Sequence, residues 1–448
     1  MPNSVVELGI TGGSFQGCEN LKSVTIGSGL KRIEAYTFIY CGLENIFFAN
    51  TENLKEIGEY SFYGCGKLKE AVLPEGLLEI KKSAFSFCTK LKKVTIPASV
   101  TDISDKSEYE HAFSGDLLLF IFGKTGSAAE KFAVNEKIPF VSDTTLIENG
   151  YYYEAVNDGV KIILSENMKE KTIPKMLGGK KVIEIGRRAF SGNTNFTEIN
   201  TDSLKIIGDN AFQNCDNVTN INIKDVDSVG IEAFNNCKLL QNVNVSTKSL
   251  GASAFNYCRN LTSVTLGRGL ETLDKSTFLK TGKVKRISLP ETLKKVGGYA
   301  LTGSNVETLI ISPEAKDVSL EDYSLSGSNL VNTSLYFPAG VINIGEKAFG
   351  SKVPEGVTIY GEIGTVAEKY AIDHGIKFST DVWRLGDVNK DNTINASDSL
   401  LDLRHAVKEI TLVDGDFTRG DVNKDNVINA SDGLLILRCA VKEINEFD

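Results

Sequence analysis

The sequence predicts a β-rich chain: two solenoids of stacked coils, each with parallel strands and a short capping helix, followed by a small all-α module of two loop–helix units. Three observations carry this. A phenylalanine recurs every 21 to 28 residues through two long tracts. Two twenty-residue segments align without a gap at an offset of 238. The end is written twice: "GDVNKDNTINASDSLLDLRHAVKEI" (Gly386 to Ile410) returns as "GDVNKDNVINASDGLLILRCAVKEI" (Gly420 to Ile444), with four differences in 25 positions.

The coils come first. "GSFQGCENLKSVTIG" (Gly13 to Gly27), "SAFSFCTKLKKVTIP" (Ser83 to Pro97) and "SAFNYCRNLTSVTLG" (Ser253 to Gly267) share a Phe, a Cys three later, an apolar residue three after that, and an alternating V-x-I or V-x-L. The marker runs through Phe15, Phe38, Phe62, Phe85 and Phe113, then Phe190, Phe212, Phe234, Phe255 and Phe278, and on through Leu301 and Leu325 to Phe349. A period of about 20–29 residues with fixed apolar positions is that of a leucine-rich-repeat solenoid. Val94 and Ile96 alternate with Thr95, as in a half-buried strand. Each coil should therefore add one strand to a parallel sheet, with Val and Ile inward. A marker Phe can be buried only by the coils on either side. Cys18, Cys41, Cys65, Cys88, Cys215, Cys237 and Cys258 each follow a marker Phe by three residues. They read as a ladder of small buried hydrophobes, with disulfides between adjacent coils as the alternative.

The lids come next. "IFGKTGSAAEKFAVNEKIPF" (Ile121 to Phe140) and "IYGEIGTVAEKYAIDHGIKF" (Ile359 to Phe378) are the gapless pair. Ser127 with Glu130, and Thr365 with Glu368, predict capping boxes, each side chain taking the other's orphan backbone N–H. Two lids imply two solenoids, 1–142 and 143–380, before a terminal module at 381–448. "YYYEAVNDGVKIIL" (Tyr151 to Leu164) reads as a hairpin about Asn157-Asp158-Gly159, closing the front of the second solenoid. The first has no such piece and is expected to be incomplete at its N-terminus.

The totals exclude several classes. A net charge of −9 disfavours nucleic-acid or anionic-membrane partners. No apolar run is long enough to span a membrane, and the N-terminus shows no signal peptide, so a secreted form would have lost its leader. The histidines are His111, His374 and His405, and no nucleophile elbow, zinc-protease motif or dinucleotide fingerprint accompanies them. No enzyme is expected.

The terminal pair carries the chemistry. Asp387, Asn389, Asp391, Asn395 and Asp398 fall at places 1, 3, 5, 9 and 12 of a twelve-residue loop, with the Thr393 carbonyl at place 7. The second copy gives Asp421, Asn423, Asp425, the Val427 carbonyl, Asn429 and Asp432. This is the ligand spacing of an EF-hand calcium loop. Carboxylates set so closely would repel without a cation, and two Ca2+ ions are expected. Place 6 is Asn392 and Asn426 where Gly is usual, and place 12 is Asp where Glu is usual. No helix fits before Asp387. After it, Leu400, Leu401, Leu403 and Val407 form an apolar helical stripe.

A tandem of loop–helix units at this end resembles a type I dockerin, the plug module of cellulosomal proteins; the resemblance covers roughly 381–448. It implies a cohesin domain on a scaffold protein as partner. It implies contacts at loop places 10 and 11 and on the helix: Ala396, Ser397, Leu403, Arg404 and Lys408, with Ala430, Ser431, Leu437, Arg438 and Lys442 in the other copy. Matching halves further imply docking in either of two orientations. Ala-Ser at places 10 and 11, where members with Ser-Thr read one set of cohesins, leaves the cohesin type open. Trp383 and Phe447 are expected to stack and clasp the ends. The repeats, over about 13–378, resemble BspA-like leucine-rich repeats of bacterial surface and adhesion proteins.

The outward strand residues Asn222, Asn244, Thr265, Ser288 and Tyr336, flanked by Asn220 and Asn242, are the expected surface for a protein or glycan ligand. Together these readings describe a secreted, extracellular, non-catalytic cellulosome subunit. The alternatives are a carbohydrate- or peptide-active enzyme with an unrecognised site on the solenoid, and a structural spacer.

Overall fold

In each coil the apolar residues of the main strand turn inward and the residue between them turns out: Val94 and Ile96 are buried, Thr95 only partly. The computed structural model describes residues 5, 13–49, 51–104, 111–116, 118–166, 171–201, 203–326, 330–380, 386–389, 394–412, 419–423 and 427–441. They form parallel-strand solenoids with few helices, and a terminal module with two short ones. The chain divides into two compact units: Met1–Asn167 with Met176–Ser191, and Met168–Lys175 with Gly192–Asp448.

In the first unit, Glu70–Val72, Lys93–Thr95, Phe120–Gly123 and Phe140–Ser142 pair in parallel. The two-residue strands Arg32–Ile33, Glu56–Ile57, Glu79–Ile80 and Asp102–Ile103 make a second parallel ladder. Inside, Phe15, Phe38, Phe62, Phe85 and Phe113 stack ring on ring, with centroids 5.0–5.4 Å apart. The hairpin forms from Tyr151–Val156 and Gly159–Ser165, with Val156 opposite Gly159. Its Ile163 packs with Phe120 and Val141, and Phe122, Tyr152 and Leu164 close over them.

The second unit repeats the plan. Phe212, Phe234, Phe255 and Phe278 stack at 5.3–5.6 Å. Glu198–Thr201, Asn220–Val229, Asn242–Leu250 and Ser263–Leu266 pair in parallel. So do Arg286–Leu289, Thr308–Ile311, Ser334–Tyr336, Thr358–Tyr360 and Lys377–Ser379.

The corner that carries the marker Phe uses backbone that L-residues avoid. Around Phe234, Glu232 and Asn236 have φ of 54° and 58°; left-handed backbone is disfavoured outside glycine. The two left-handed residues bracket the Phe, four positions apart. The N–H groups of Glu232, Phe234 and Asn236 all reach the next coil, donating to the carbonyls of Ala252, Ala254 and Asn256 at 2.8–2.9 Å. Three inter-coil hydrogen bonds per corner offset the strain.

The cysteines do more than fill space. Five thiols donate to the carbonyl of the marker Phe one coil earlier: Cys41 to Phe15, Cys65 to Phe38, Cys88 to Phe62, Cys237 to Phe212 and Cys258 to Phe234, at 2.9–3.4 Å. All eight cysteines are free thiols. Thr281 and Ser304 stand at the same place and donate their hydroxyls to the carbonyls of Phe278 and Leu301. At these coils the place holds a small donor, the thiols reaching the coil before and the hydroxyls their own coil.

Asp116 is three residues after Phe113 and so occupies this place, buried beside Cys88. Burial outweighs the Cys88 backbone N–H and pushes its carboxyl up to about 8. An unfolded aspartate titrates near about 3.9, so between these values the native state holds a proton the unfolded chain has released. Stability of the first unit should therefore fall as pH rises from about 4 to about 8. Asp116→Asn should flatten that slope; melting temperatures across the range, for wild type and variant, check it.

Each solenoid closes with a helix, α1 (Ala128–Asn135) and α2 (Val366–Asp373). The predicted capping box forms by half. Ser127 and Thr365 accept from the Glu130 and Glu368 backbones. The glutamates reach one residue further back, taking the N–H of Gly126 at 2.6 Å and of Gly364 at 2.7 Å. Both glycines have positive φ, 79° and 82°; that turn presents their amides to the helix entrance.

Candidate functional site

The terminal module is held by a small core of Val388, Val422 and Ile436, with Ile394, Leu401, Leu412 and Leu435 packed on it. Its helices are α3 (Ala396–Ala406) and α4 (Ala430–Ala440). They cross where side chains are small: Ser399 donates its hydroxyl to the Gly433 carbonyl at 2.7 Å. A Cβ at Gly433 would come within 3.1 Å of the Leu403 side chain. The Ser399/Gly433 difference between the copies thus lies in this packing.

The loops fold the same way twice. Asn389 and Asn395 donate their backbone N–H groups to the two oxygens of Asp398, both at 2.9 Å. Asn423 and Asn429 do the same to Asp432, at 3.2 and 3.0 Å. Asn395 and Asn429 also cap the helices, each side-chain oxygen accepting from Ser397 or Ser431 at 2.7 Å. Places 9 and 12 therefore form full capping boxes, an arrangement the metal-ligand reading did not include; its signal in the sequence is N-x-x-D before a helix. Place 1 is buried in both copies, with Asp387 and Asp421 only 2–3% exposed. The Val427 carbonyl accepts from the Asn429 side chain at 3.3 Å. Asp391, Thr393 and Asp425 lie outside the described residues, as do Lys442, Trp383 and Phe447.

Among the described residues no three His, Cys, Asp or Glu side chains converge as a metal-holding group; the loops draw much of their donor set from asparagines and carbonyls. The set nevertheless suits a hard divalent cation. Asp387, Asp398, Asp402, Asp421 and Asp432 are all buried in one small module, and burying carboxylates is costly without a compensating charge. Asp402 shows that cost. It is fully buried and neither oxygen has a hydrogen-bond partner. Burial first, then the charges of Asp432, Asp398 and Asp421, push its carboxyl up to about 8.

The helices expose what a helix normally hides. The buried residues are Asp398, Ser399 and Asp402 on α3, and Asp432, Gly433 and Ile436 on α4. Leu400, Leu403 and Val407 face outward, as do Leu434, Leu437 and Val441 at the matching places. Ala396, Ser397, Ala430 and Ser431 are exposed at the helix starts, and Lys408 and Arg438 further along. Arg404 pairs with Glu409 at 3.0 Å. Among the described residues the two faces expose the same leucines and valines and the same Ala-Ser pairs.

The solenoids offer other surfaces. The Asn220 and Asn242 side chains bond each other at 2.7 Å, and Asn222 and Asn244 at 3.2 Å, so this stripe is partly an amide ladder between coils. Tyr336, expected outward and accessible, is 5% exposed and stacked on Tyr360 at 4.6 Å. Its side chain does leave the core, but Ile310 and Tyr360 cover it. In the first unit a groove of about 470 Å³ is lined by Ile46, Phe47, Phe48, Val72, Leu73 and Pro74.

Residues 1–115, 162–249 and 248–370 match the family model described as a BspA type leucine rich repeat region, in six copies. The chain belongs to the BspA-type leucine-rich-repeat family. Residues 385–439 match the type I dockerin domain model, so this leucine-rich-repeat protein carries a dockerin after its repeats. Its repeats are similar to three solved structures. One is a leucine-rich repeat protein from Eubacterium ventriosum, 23% identical over 70% of this chain and 78% of that one, with a TM-score of 0.41. Another, from Bacteroides ovatus, is 21% identical over 84% and 87%, TM-score 0.40. The third, the pneumococcal vaccine antigen PcpA, is 17% identical over 81% and 80%, TM-score 0.42. No curated protein matches. Both modules of this leucine-rich-repeat protein are non-catalytic, extracellular or cell-surface types, and dockerins bind calcium and cohesins. No helix among the described residues is long and apolar enough to cross a membrane.

Proposed function

We propose that this is a non-catalytic, secreted subunit of a cellulosome-type assembly, built as modules 1–142, 143–380 and 381–448. The dockerin holds two calcium ions. Asp387, Asn389, Asp391, the Thr393 carbonyl, Asn395 and Asp398 hold one; Asp421, Asn423, Asp425, the Val427 carbonyl, Asn429 and Asp432 hold the other. The ions add positive charge beside the carboxylates buried in this module. The metal-bound module then docks on a scaffold cohesin through Ala396, Ser397, Leu403, Arg404 and Lys408, or through Ala430, Ser431, Leu437, Arg438 and Lys442.

The observation that carries this reading is the matched pair of helices: Asp398, Ser399 and Asp402, and Asp432, Gly433 and Ile436, are inside, while Leu403, Val407, Leu437 and Val441 stay outside. Exposed apolar faces of that kind mark interaction sites, and a capping role for the loops alone would not place two of them in register. The repeats serve as a second interaction surface. The apolar groove by Phe47 and Val72 supports a protein partner over a glycan. Probing an array of cohesin domains with the full chain in millimolar calcium tests the assembly role: capture by at least one is expected, and none captured across all types would remove it.

A further inference from the structure

Three of the four differences between the copies have a visible local setting, and one of these is chemical. Asp402 on α3 corresponds to Ile436 on α4. Ile436 is a core residue. Asp402 is as deeply buried, and no hydrogen bond reaches either oxygen. It points at the entrance of the second loop: a Cβ at Gly420, the residue before Asp421, would lie 2.2 Å from its Oδ1. The carboxylates of Asp432, Asp398 and Asp421 are near enough to act on its charge. A buried carboxylate without a donor, set against Gly420 at the start of the second loop, is unexplained by packing, since isoleucine fills the matching place.

We infer that Asp402 serves the second calcium site from outside its loop, as an added acidic partner of the ion bounded by Asp421 and Asp432. This rests on the calcium reading above and makes the two sites unequal. At the matching place on the other helix stands Ile436, an apolar core residue with no charge to offer. Outer groups around a metal typically change affinity by about 10–100-fold.

Calcium titration calorimetry on the full chain, with melting curves in calcium and in chelator, tests it for wild type, Asp402→Asn and Asp402→Ile. Wild type should bind two ions with unequal affinity. Both variants should weaken one site by roughly tenfold or more and leave the other unchanged. Asp402→Ile should also raise the dockerin melting temperature in chelator while reducing the gain on adding calcium. That opposition of sign is the signature, because a purely structural residue would shift both melts the same way. Unchanged isotherms beside a two-ion wild type would overturn this inference alone. A wild type that takes up no calcium would overturn the calcium reading with it.

Discussion

Phe234→Ala should destabilise the second solenoid by about 3–5 kcal/mol. The ring is fully buried and sandwiched, 5.3 Å from Phe212 and 5.4 Å from Phe255 with nearly parallel planes. Removing it deletes two stacking contacts, each worth about 0.5–1.5 kcal/mol beyond burial. The cavity cannot readily collapse, because corner hydrogen bonds fix the spacing of the coils on both sides. Alanine keeps the backbone carbonyl that Cys258 uses, so the loss is the ring's own. In a stack of this kind neighbouring coils share the damage. Native-state hydrogen exchange of amides in residues 210–260 is therefore the measurement. A loss under about 1 kcal/mol would mean that the marker Phe is not the core of the coil.

Leu403→Ala and Leu437→Ala together should abolish detectable cohesin binding, while either alone should weaken it only about twofold. Truncating an anchor at the centre of an interface commonly costs about 2 kcal/mol or more. If two equivalent faces can dock, losing one removes half of the bound states and costs a factor of about two in affinity. Both side chains are 39% exposed, and far-UV circular dichroism with calcium uptake would show that the double variant remains folded. Equal, large losses in the two single variants would mean that both faces are needed at once, and so rule out two orientations.

Much of this was legible in the sequence because it is periodic. V-x-I alternation fixed which residues face inward, and the recurring Phe fixed the coil register, since neither survives a one-residue slip. The candidate calcium donors of the loops are a reading of spacing alone. Other features depend on what a neighbour does. The apolar spacing of Leu400, Leu401, Leu403 and Val407 finds a stripe but not which members are covered: Leu401 packs on the core, Leu400, Leu403 and Val407 stay exposed, and the helices touch at Ser399 and Gly433. Tyr336 follows the outward alternation and is nonetheless covered by Tyr360. The thiol-to-carbonyl bonds were hidden because hydrophobicity scales do not register an S–H donor. Glu130 and Glu368 bond the N–H of left-handed Gly126 and Gly364, a choice of backbone donor that residue spacing alone does not reveal.

The most direct measurement compares cohesin binding by the full chain in millimolar calcium and in excess chelator, for wild type and for Asp387→Ala with Asp421→Ala. Binding should be present for wild type in calcium and absent in the other three conditions. Undiminished capture by the double variant, or by wild type in chelator, would contradict the claim that calcium in these two loops shapes the docking module.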